Sequence, residues 1–320
     1  MHTHKINIYL GVVGVGEHFL KNIYPSIIKN KNILLSGVCT KKKNIKFNNN
    51  TKIYSSYSLM LEDNNIDTIY ISSINSAHFK QALKAMEYKK NVICEKPLTT
   101  KLEHSLKLIN YAKSKDLIIF EAFMFKYHDA FKSIKKIVDS KLSGEIKTLV
   151  AQFGIPHLKK NNFRYDNKKG GGSYFDLACY PIKISNLLIK ENPKSVIIKQ
   201  NYNNKKIDLS GWAIINYKND KKAFLDWGFG RSYLNKIEIW GEKMNLRLNK
   251  PFSKKENEKL NIIISSNFKK KLIKIKPQNH FNNMFNFFYK LTKKRNFRTE
   301  YFKELLKYQK IFFKILDEKN

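Results

Sequence analysis

The chain has 320 residues, 42% of them hydrophobic, which predicts a globular protein with one large core or two domains. Its formal net charge is +35, but only five of its 61 basic residues are Arg, and the Lys residues are spread along the whole chain. A nucleic-acid-binding protein usually clusters its cations and prefers Arg, so this pattern disfavours that class. An A/T-rich genome accounts for the abundance of Lys, Asn and Ile.

The first third of the chain alternates strand and helix patterns. Short apolar runs predict strands at 6–13, 33–39, 66–72, 91–94 and 117–120. Helical patterns lie at 17–29, at 77–88 and from 100 onward, where Thr100 and Glu103 fit a capping box. This alternation predicts an α/β fold with a doubly wound parallel sheet over residues 1–122.

The pattern changes after about residue 122. A helix is predicted through 131–139, and strand-like segments gather at 146–155, 194–202, 208–217, 221–230 and 233–241. Their alternation indicates a mixed or mostly antiparallel sheet. Residues 254–261 and 266–280 have the composition of polar or basic connections, and the tail returns to helical spacing. We therefore predict a second α/β domain over residues 123–320.

Several absences narrow the class of protein. No apolar run approaches the roughly 18 residues that cross a bilayer, and the N-terminus lacks a signal-peptide pattern. We therefore expect a cytoplasmic protein without a membrane partner. Cys39, Cys94 and Cys179 form neither a CxxC pair nor a zinc-like cluster, so neither a disulfide nor a metal site is expected.

A glycine turn lies between the first predicted strand and the first helix. Its residues are Gly11, Gly14, Val15, Gly16 and Glu17. Dinucleotide-binding folds need such a tight turn, where the backbone approaches a pyrophosphate at a helix N-terminus. The third position of the G-x-G-x-x-G/A pattern is a bulky Phe19, which predicts a different helix–strand spacing.

The end of the second predicted strand bears on the choice of cofactor. An NAD-preferring fold usually carries Asp or Glu there to hold the ribose hydroxyls. This chain has Thr40 followed by Lys41, Lys42 and Lys43, which offer a hydroxyl and positive charge to a 2′-phosphate. NADP(H) is therefore favoured over NAD(H). The alternative is that these lysines only reflect the lysine-rich composition.

Three residues form a candidate acid–base set. Lys96 follows a buried strand, at the edge where open α/β sheets bind ligands, and Pro97 after it has a sequence context for a cis bond. Asp176 and Tyr180 follow three glycines and are four residues apart, hence on one helical face. A tyrosine beside an ammonium group can exchange a proton with a substrate hydroxyl or carbonyl.

These motifs together resemble the Gfo/Idh/MocA family of oxidoreductases over essentially the whole chain. The resemblance rests on the glycine turn, Ile-Ser-Ser-Ile-Asn-Ser-Ala-His at 71–78, Glu95-Lys96-Pro97, Glu-Ala-Phe-Met-Phe-Lys-Tyr-His at 121–128, Phe-Arg-Tyr-Asp at 163–166, the Gly-Gly-Gly segment with Asp176 and Tyr180, and Glu-Ile-Trp-Gly at 238–241. With Tyr at position 180, the sequence resembles one branch of this family, that of glucose–fructose oxidoreductase, aldose dehydrogenases and dimeric dihydrodiol dehydrogenases.

The resemblance implies an N-terminal Rossmann domain and a C-terminal α/β domain with a large open sheet. It implies a nicotinamide cofactor, a sugar-like polyol or carbonyl substrate, and a homodimer or homotetramer formed through that sheet. Lys96 would be the catalytic lysine, Asp176 a positioning group and Tyr180 the proton donor or acceptor. The cofactor site would extend to Ser73, Asn75, His78, Glu95 and Lys96, and the substrate site would include Lys96, Arg164, Asp176 and Tyr180.

Three residues depart from the family pattern: Phe19, Ile74 in place of Pro, and Lys126 in place of Arg. Two alternatives to an enzyme stay open, a non-catalytic nucleotide-binding sensor or assembly subunit and a basic nucleic-acid binder. For an enzyme, a free aldose, a sugar nucleotide and a cyclic diol remain possible substrates.

Overall fold

The computed structural model describes residues 7–42, 45–48, 50–140, 142–266 and 269–318, so Lys43 lies outside the described residues. The chain forms two compact units, one of Met1–Phe123 with Phe281–Leu306 and one of Met124–His280 with Lys307–Asn320. This division differs from the predicted boundary after residue 122, since Phe123 and residues 281–306 belong with the first unit.

The first unit contains a six-stranded parallel sheet in the order β3-β2-β1-β4-β5-β6. Its strands are β1 (Ile8–Val13), β2 (Ile33–Cys39), β3 (Lys52–Tyr54), β4 (Thr68–Ile71), β5 (Asn91–Cys94) and β6 (Ile119–Glu121). Over residues 1–123 its α-helices are α1 (Tyr24–Ile28), α2 (Tyr57–Glu62), α3 (His78–Glu87) and α4 (Leu102–Ser114). The predicted doubly wound parallel sheet is confirmed.

The first helix has an unusual start. Phe19 is fully buried, and a π-helical turn over Phe19–Ile23 leads into α1, which begins with Pro25 in its first turn. A wider turn accommodates the aromatic ring where a small residue is usual, so the predicted change in helix–strand spacing appears as a local widening.

The predicted capping box before α4 is wrong. Lys101 takes the N-cap position without a side-chain cap bond, so Thr100 lies before the cap and Glu103 stands one residue too early for the motif. Thr99 instead forms a hydrogen bond with Ser105 (2.7 Å).

The second unit contains an eight-stranded sheet in the order β14-β13-β12-β11-β7-β10-β9-β8. Its strands are β7 (Ile146–Ile155), β8 (Ser195–Tyr202), β9 (Asp208–Asn216), β10 (Lys222–Phe229), β11 (Leu234–Gly241), β12 (Asn245–Asn249), β13 (Leu260–Ser266) and β14 (Lys269–Ile275). In the described part of the chain β7 and β10 pair in parallel, and the other pairs are antiparallel. The prediction of a mostly antiparallel sheet is confirmed.

The interpretation of 254–261 and 266–280 as connections is wrong where β13 and β14 lie. The outer strand β14 has the sequence Lys-Lys-Lys-Leu-Ile-Lys-Ile and is mostly exposed. Lysines on an edge strand discourage pairing with other chains, and they also hide the strand pattern in the sequence.

Four further α-helices lie in the described residues: α5 (Asp129–Asp139), α6 (Cys179–Ile189), α7 (His280–Lys293) and α8 (Arg295–Asp317). Every residue of α6 is buried, and the polar residues Lys183, Ser185 and Asn186 are among them. The end of α8 holds this helix in the second unit, because Tyr308 donates to the Cys179 carbonyl (3.1 Å) and Tyr174 donates to the Phe312 carbonyl (2.6 Å).

His128 is the N-cap of α5. Its ring Nδ1 accepts a hydrogen bond from the Ala130 N–H (3.1 Å), which places the proton of the neutral ring on Nε2. The residue is 1% exposed, and burial, reinforced by the positive charge of Lys254, lowers its pKa from 6.5 to about 4. The folded protein therefore holds this histidine neutral.

We predict a stability effect of His128 at acidic pH. The unfolded chain binds a proton near pH 6.5 and the folded chain only near pH 4, so this group lowers the free energy of unfolding as pH falls between these values, by about 3 kcal/mol in total. His128→Asn keeps a capping side chain and removes the titration. Urea unfolding from pH 7 to pH 4 is expected to show a smaller loss in His128→Asn than in the wild type. The exposed His157→Asn should follow the wild type; parallel curves for all three would contradict the assignment.

Candidate active site

The glycine turn lies at the carboxyl end of β1 and is pressed against the end of β4. Gly14 has a φ of +91°, and a Cβ there would lie 2.4 Å from the backbone of Ser72 and Ser73, so only glycine fits. A Cβ at Gly16 would meet nothing within 4 Å. The turn thus leaves open space at the start of the helix, which fits the approach of a dinucleotide pyrophosphate.

The other predicted residues of this turn have different environments. Gly11 lies inside β1, where a Cβ would meet side chains of Ile69 and Ile66 at 3.0–3.1 Å, so its glycine is required by packing. Val15 is buried, whereas Glu17 is exposed and forms an ion pair with Lys21. Only the backbone of Glu17 is therefore suited to an anionic ligand.

Thr40 and Lys41 follow β2 at the same sheet edge. The Thr40 hydroxyl accepts a hydrogen bond from the Lys42 N–H (3.1 Å), and the Lys41 side chain is exposed. In the described residues 40–42 this segment therefore presents a hydroxyl and cationic side chains, as the sequence predicts for a 2′-phosphate. The contribution of Lys43 lies outside the described residues.

The segment after β4 is held in place by His78. Ile74 has φ −68°, the value that a proline would impose, so the backbone tolerates the departure from the family pattern. His78 is fully buried, with Nδ1 2.9 Å from the Pro97 carbonyl and Nε2 3.2 Å from the Ser73 carbonyl. Burial lowers its pKa. This geometry favours a supporting role, and direct cofactor contact stays a prediction, as it does for Ser73 and Asn75.

The loop around Lys96 follows β5 and includes a cis bond between Lys96 and Pro97, in agreement with the sequence context. Buried carboxylates flank it. Glu121 on β6 accepts a hydrogen bond from the Leu98 N–H (2.8 Å), and Tyr301 on α8 accepts one from the Glu121 N–H (2.7 Å). Lys96 itself is half-buried at the carboxyl edge of the sheet.

The glycine-rich segment of the second unit precedes the helix that carries Asp176 and Tyr180. Gly172 has φ +107°, and its N–H donates to the Arg164 carbonyl (2.9 Å). Asp208 on β9 accepts from the Ser173 hydroxyl and the Tyr174 N–H, both at 2.6 Å. These contacts fix the helix start beside the 163–166 segment.

Arg164 and Asp176 are brought together by this arrangement. The Arg164 Nε lies 2.7 Å from the Asp176 Oδ2, and Asp176 is 7% exposed. Asp176 lies in a π-helical turn, Tyr174–Ala178, that leads into α6. Such turns recur at functional sites.

Tyr180 sits in an aromatic enclosure within the second unit. Its ring contacts Phe125, Phe153 and Phe252 at centroid distances of 5.3–6.0 Å, and its hydroxyl lies 3.8 Å from the Met124 Sδ. Thioether sulfur is a weak acceptor. The enclosure gives the phenol a largely apolar surrounding.

The predicted site residues are thus divided between the two units. Lys96, the glycine turn and the residues of the predicted cofactor site lie in the first unit; Arg164, Asp176 and Tyr180 lie in the second. Sequence reasoning missed Asp208, and it gave no individual role to Glu121 in the 121–128 motif or to the aromatic residues around Tyr180. An Asp at the start of a strand carries no local signal for capping a helix 35 residues earlier.

Neither a metal site nor a membrane span emerges from the described part of the chain. None of its helices is both long and apolar enough to cross a bilayer, and it holds no group of three or more potential metal-binding side chains. The three cysteines are free thiols. The cytoplasmic location stays a prediction.

Fold and site define a Rossmann-type dinucleotide-binding protein with a second, open-sheet unit. Residues 8–123 match the model of the oxidoreductase family with an NAD-binding Rossmann fold, and residues 131–247 match the GFO/IDH/MocA C-terminal domain. The chain therefore belongs to the Gfo/Idh/MocA family, which confirms the resemblance seen in the sequence.

Among curated relatives, the chain is 29% identical over 199 residues to a dTDP-3,4-didehydro-2,6-dideoxy-alpha-D-glucose 3-reductase of Saccharopolyspora spinosa, which covers 62% of this chain and 60% of the relative. It is 29% identical over 205 residues to a trans-1,2-dihydrobenzene-1,2-diol dehydrogenase of Xenopus tropicalis, covering 63% and 62%. The chain thus spans about three fifths of the length of these relatives.

Among solved structures, a 3-ketoreductase of Actinomadura kijaniata in complex with NADP and TDP-benzene matches with a TM-score of 0.91 at 20% identity, covering 98% of both chains. An aldose-aldose oxidoreductase of Caulobacter crescentus complexed with glycerol matches with a TM-score of 0.85 at 15% identity, covering 98% of this chain and 97% of the other. At these identities the likeness establishes the fold.

We predict that Gly172→Ala destabilises the second unit. An added Cβ would lie 2.0 Å from the Asp208 Oδ1 and the residue would keep a positive φ, so we expect a loss of about 2 kcal/mol or more. In Gly154→Ala on β7 the nearest atom is 3.5 Å away, and the change should stay within about 1 kcal/mol. Denaturant unfolding of both variants tests this, and equal effects would show that the close approach is not needed.

Proposed function

We propose that the protein is an NADP(H)-dependent oxidoreductase that transfers a hydride to or from a carbon of a sugar-like substrate. One observation carries the proposal: the glycine turn and Lys96 lie at the carboxyl ends of β1 and β5 of the same parallel sheet. Open α/β sheets bind their ligands at this edge. The relatives named above are a sugar reductase and a diol dehydrogenase, which agrees with this chemistry.

Each candidate residue has a task in this proposal. The nicotinamide cofactor supplies or accepts the hydride when bound, and the open space at Gly16 suits its pyrophosphate. Tyr180 exchanges a proton with the substrate hydroxyl or carbonyl. The Lys96 ammonium stabilises negative charge on the substrate oxygen, and Asp176, paired with Arg164, orients substrate hydroxyls.

The substrate to test first is a nucleotide-linked keto-sugar. The relative from Saccharopolyspora spinosa is named for a dTDP-linked didehydro sugar, and a solved neighbour holds TDP-benzene. The net charge of +35 favours an anionic diphosphate through long-range attraction. Free aldoses and cyclic diols are the comparison substrates.

We predict that Lys96→Ala and Tyr180→Phe each lower kcat by about 100-fold or more, and that Tyr180→Phe leaves the Kd of NADPH unchanged. General acid–base groups contribute typically 10²–10⁴-fold. Stopped-flow measurement of NADPH oxidation with the best substrate, together with NADPH titration, checks both parts. Tyr202→Phe, an exposed tyrosine on β8, is the control. Full hydride transfer by Tyr180→Phe would remove Tyr180 from the mechanism, and binding without turnover in the wild type would favour the non-catalytic alternative.

We predict a lysine-dependent preference for NADPH. Lys41→Glu should raise the Kd of NADPH about tenfold at low salt and change that of NADH by less than threefold, because only NADPH carries the 2′-phosphate. The control Lys115→Glu makes the same change in net charge but lies in the connection between α4 and β6. It should change the Kd of neither nucleotide. Fluorescence titration of each protein with both nucleotides measures this. Equal binding of NADH and NADPH by the wild type would keep the oxidoreductase and discard the phosphate argument.

We also propose that the chain self-associates through one face of the second sheet. In register across the strands, that face presents a row of side chains: Ile197, Ile214, Phe224, Val150, Glu238, Arg247, Ile263 and Leu272. Ile197, Phe224 and Leu272 are 39–54% exposed, and Trp240 on the same face is 67% exposed. The row is apolar apart from the Glu238–Arg247 ion pair, and exposed apolar residues grouped on one face are typical of an interface.

Phe224→Asp is predicted to convert the assembly to monomers by placing a charge in the apolar part of this face that β7, β10, β9 and β8 form. Sedimentation velocity should give a dimer or tetramer for the wild type and a single-chain mass for the variant. Lys218→Asp, in the turn before β10, is the control. A monomeric wild type at micromolar concentration would contradict the proposal.

A further inference from the structure

The carboxylate of Glu95, directly before Lys96, is held by two side chains from distant parts of the first unit. Its Oε1 accepts a hydrogen bond from the hydroxyl of Tyr70, on β4, and lies 3.2 Å from the Nε2 of His18. The Glu95 side chain is 12% exposed and Tyr70 is fully buried. A buried carboxylate with two donors on one oxygen is fixed in place and costs little to keep charged.

The ring of His18 has a second contact on the side away from Glu95. The Asn22 amide Nδ2, a donor, lies 3.1 Å from the His18 Nδ1. With Nδ1 as the acceptor of this amide, Nε2 carries the hydrogen that points to Glu95. The chain of hydrogen bonds runs from Asn22 through His18 and Glu95 to Tyr70.

Helix α7 packs against both His18 and Tyr70. Phe281 contacts the His18 ring edge-on at 5.8 Å between centroids, and Phe285 contacts the Tyr70 ring at 5.9 Å. These phenylalanines are four residues apart and so lie on one face of the helix. A single helix face therefore packs against both ends of the His18–Glu95–Tyr70 bridge.

The bridge joins the two parts of the proposed cofactor site. His18 is the second residue after Gly16, in the first turn of the helix, and Glu95 precedes Lys96. The pKa of Glu95 is lowered: burial acts to raise it but is outweighed by His18, Tyr70 and the nearby charge of Lys96. Glu95 therefore stays ionised at neutral pH and presents a fixed negative charge beside Lys96.

We propose that His18, Glu95 and Tyr70 are positioning residues that couple the helix after the glycine turn to Lys96. In this proposal a nucleotide bound at the glycine turn restricts the His18 side chain. Through the hydrogen bonds to Glu95, it also restricts the loop that carries Lys96. The assignment rests on the proposed nucleotide-binding function. It gives Glu95 a task through its neighbours in place of direct contact with the cofactor.

A double-mutant cycle on NADPH binding tests the bridge. His18→Leu and Tyr70→Phe are each expected to raise the Kd of NADPH about tenfold, and the double variant no more than about threefold beyond the worse single one. Loss of either donor releases the same carboxylate, so the two effects do not multiply. His18→Gln, whose amide can donate in place of Nε2, should restore the Kd to within threefold of the wild type.

Controls separate the bridge from general damage and from the proposed reaction. His104→Leu removes a partly exposed imidazole that stacks on Phe79 in the same unit, and should leave the Kd unchanged. The bridge would be overturned, with the reaction left intact, by any of three results. These are equal Kd values for the wild type, both single variants and the double variant, single effects that multiply in the double variant, or a Kd that His18→Gln fails to restore. If the double-mutant cycle gives the expected Kd values but no sugar is turned over, the proposed reaction would be wrong and the bridge would stand. Absence of nucleotide binding in the wild type would overturn both.

Discussion

The arrangement of the first unit depends on burying polar groups that hold the loop after β5. Glu95, Glu121 and His78 each contact that loop or belong to it, and each is bonded to a partner from another element. A buried polar group without a partner would cost about 1–3 kcal/mol, so these contacts leave the loop few alternative conformations. The position of Lys96 in this loop is therefore set by these contacts.

The second unit uses close backbone approach for a comparable purpose. Gly171 and Gly172 bring the 163–166 segment against the start of the helix, since a Cβ at Gly171 would lie 2.5 Å from the Arg164 carbonyl oxygen. The ion pair of Arg164 with Asp176 follows from that approach. The two units thus present the candidate residues by different means, one through buried polar side chains and the other through glycine.

Local patterns explain what could be predicted from the sequence. The glycine turn, Lys96, the parallel sheet and strands such as β7 and β10 were accessible because each depends on residues close together in the chain. Strand β14 was hidden by its lysines, and the widened turn at Phe19 is a packing response that no propensity encodes. Asp208, His18 and Tyr70 could not be found because their partners are 25 to 77 residues away.

The return of residues 281–306 to the first unit has a consequence for synthesis on the ribosome. Asn30 bonds to Asn282 (2.6 Å), Tyr70 packs on Phe285, and Phe120 stacks on Tyr301 at 5.1 Å. A nascent chain that has emerged only as far as residue 123 lacks these partners and leaves part of its core uncovered. The unit that residues 1–123 begin is therefore complete only after residues 281–306 have been made, and translation order and folding order differ.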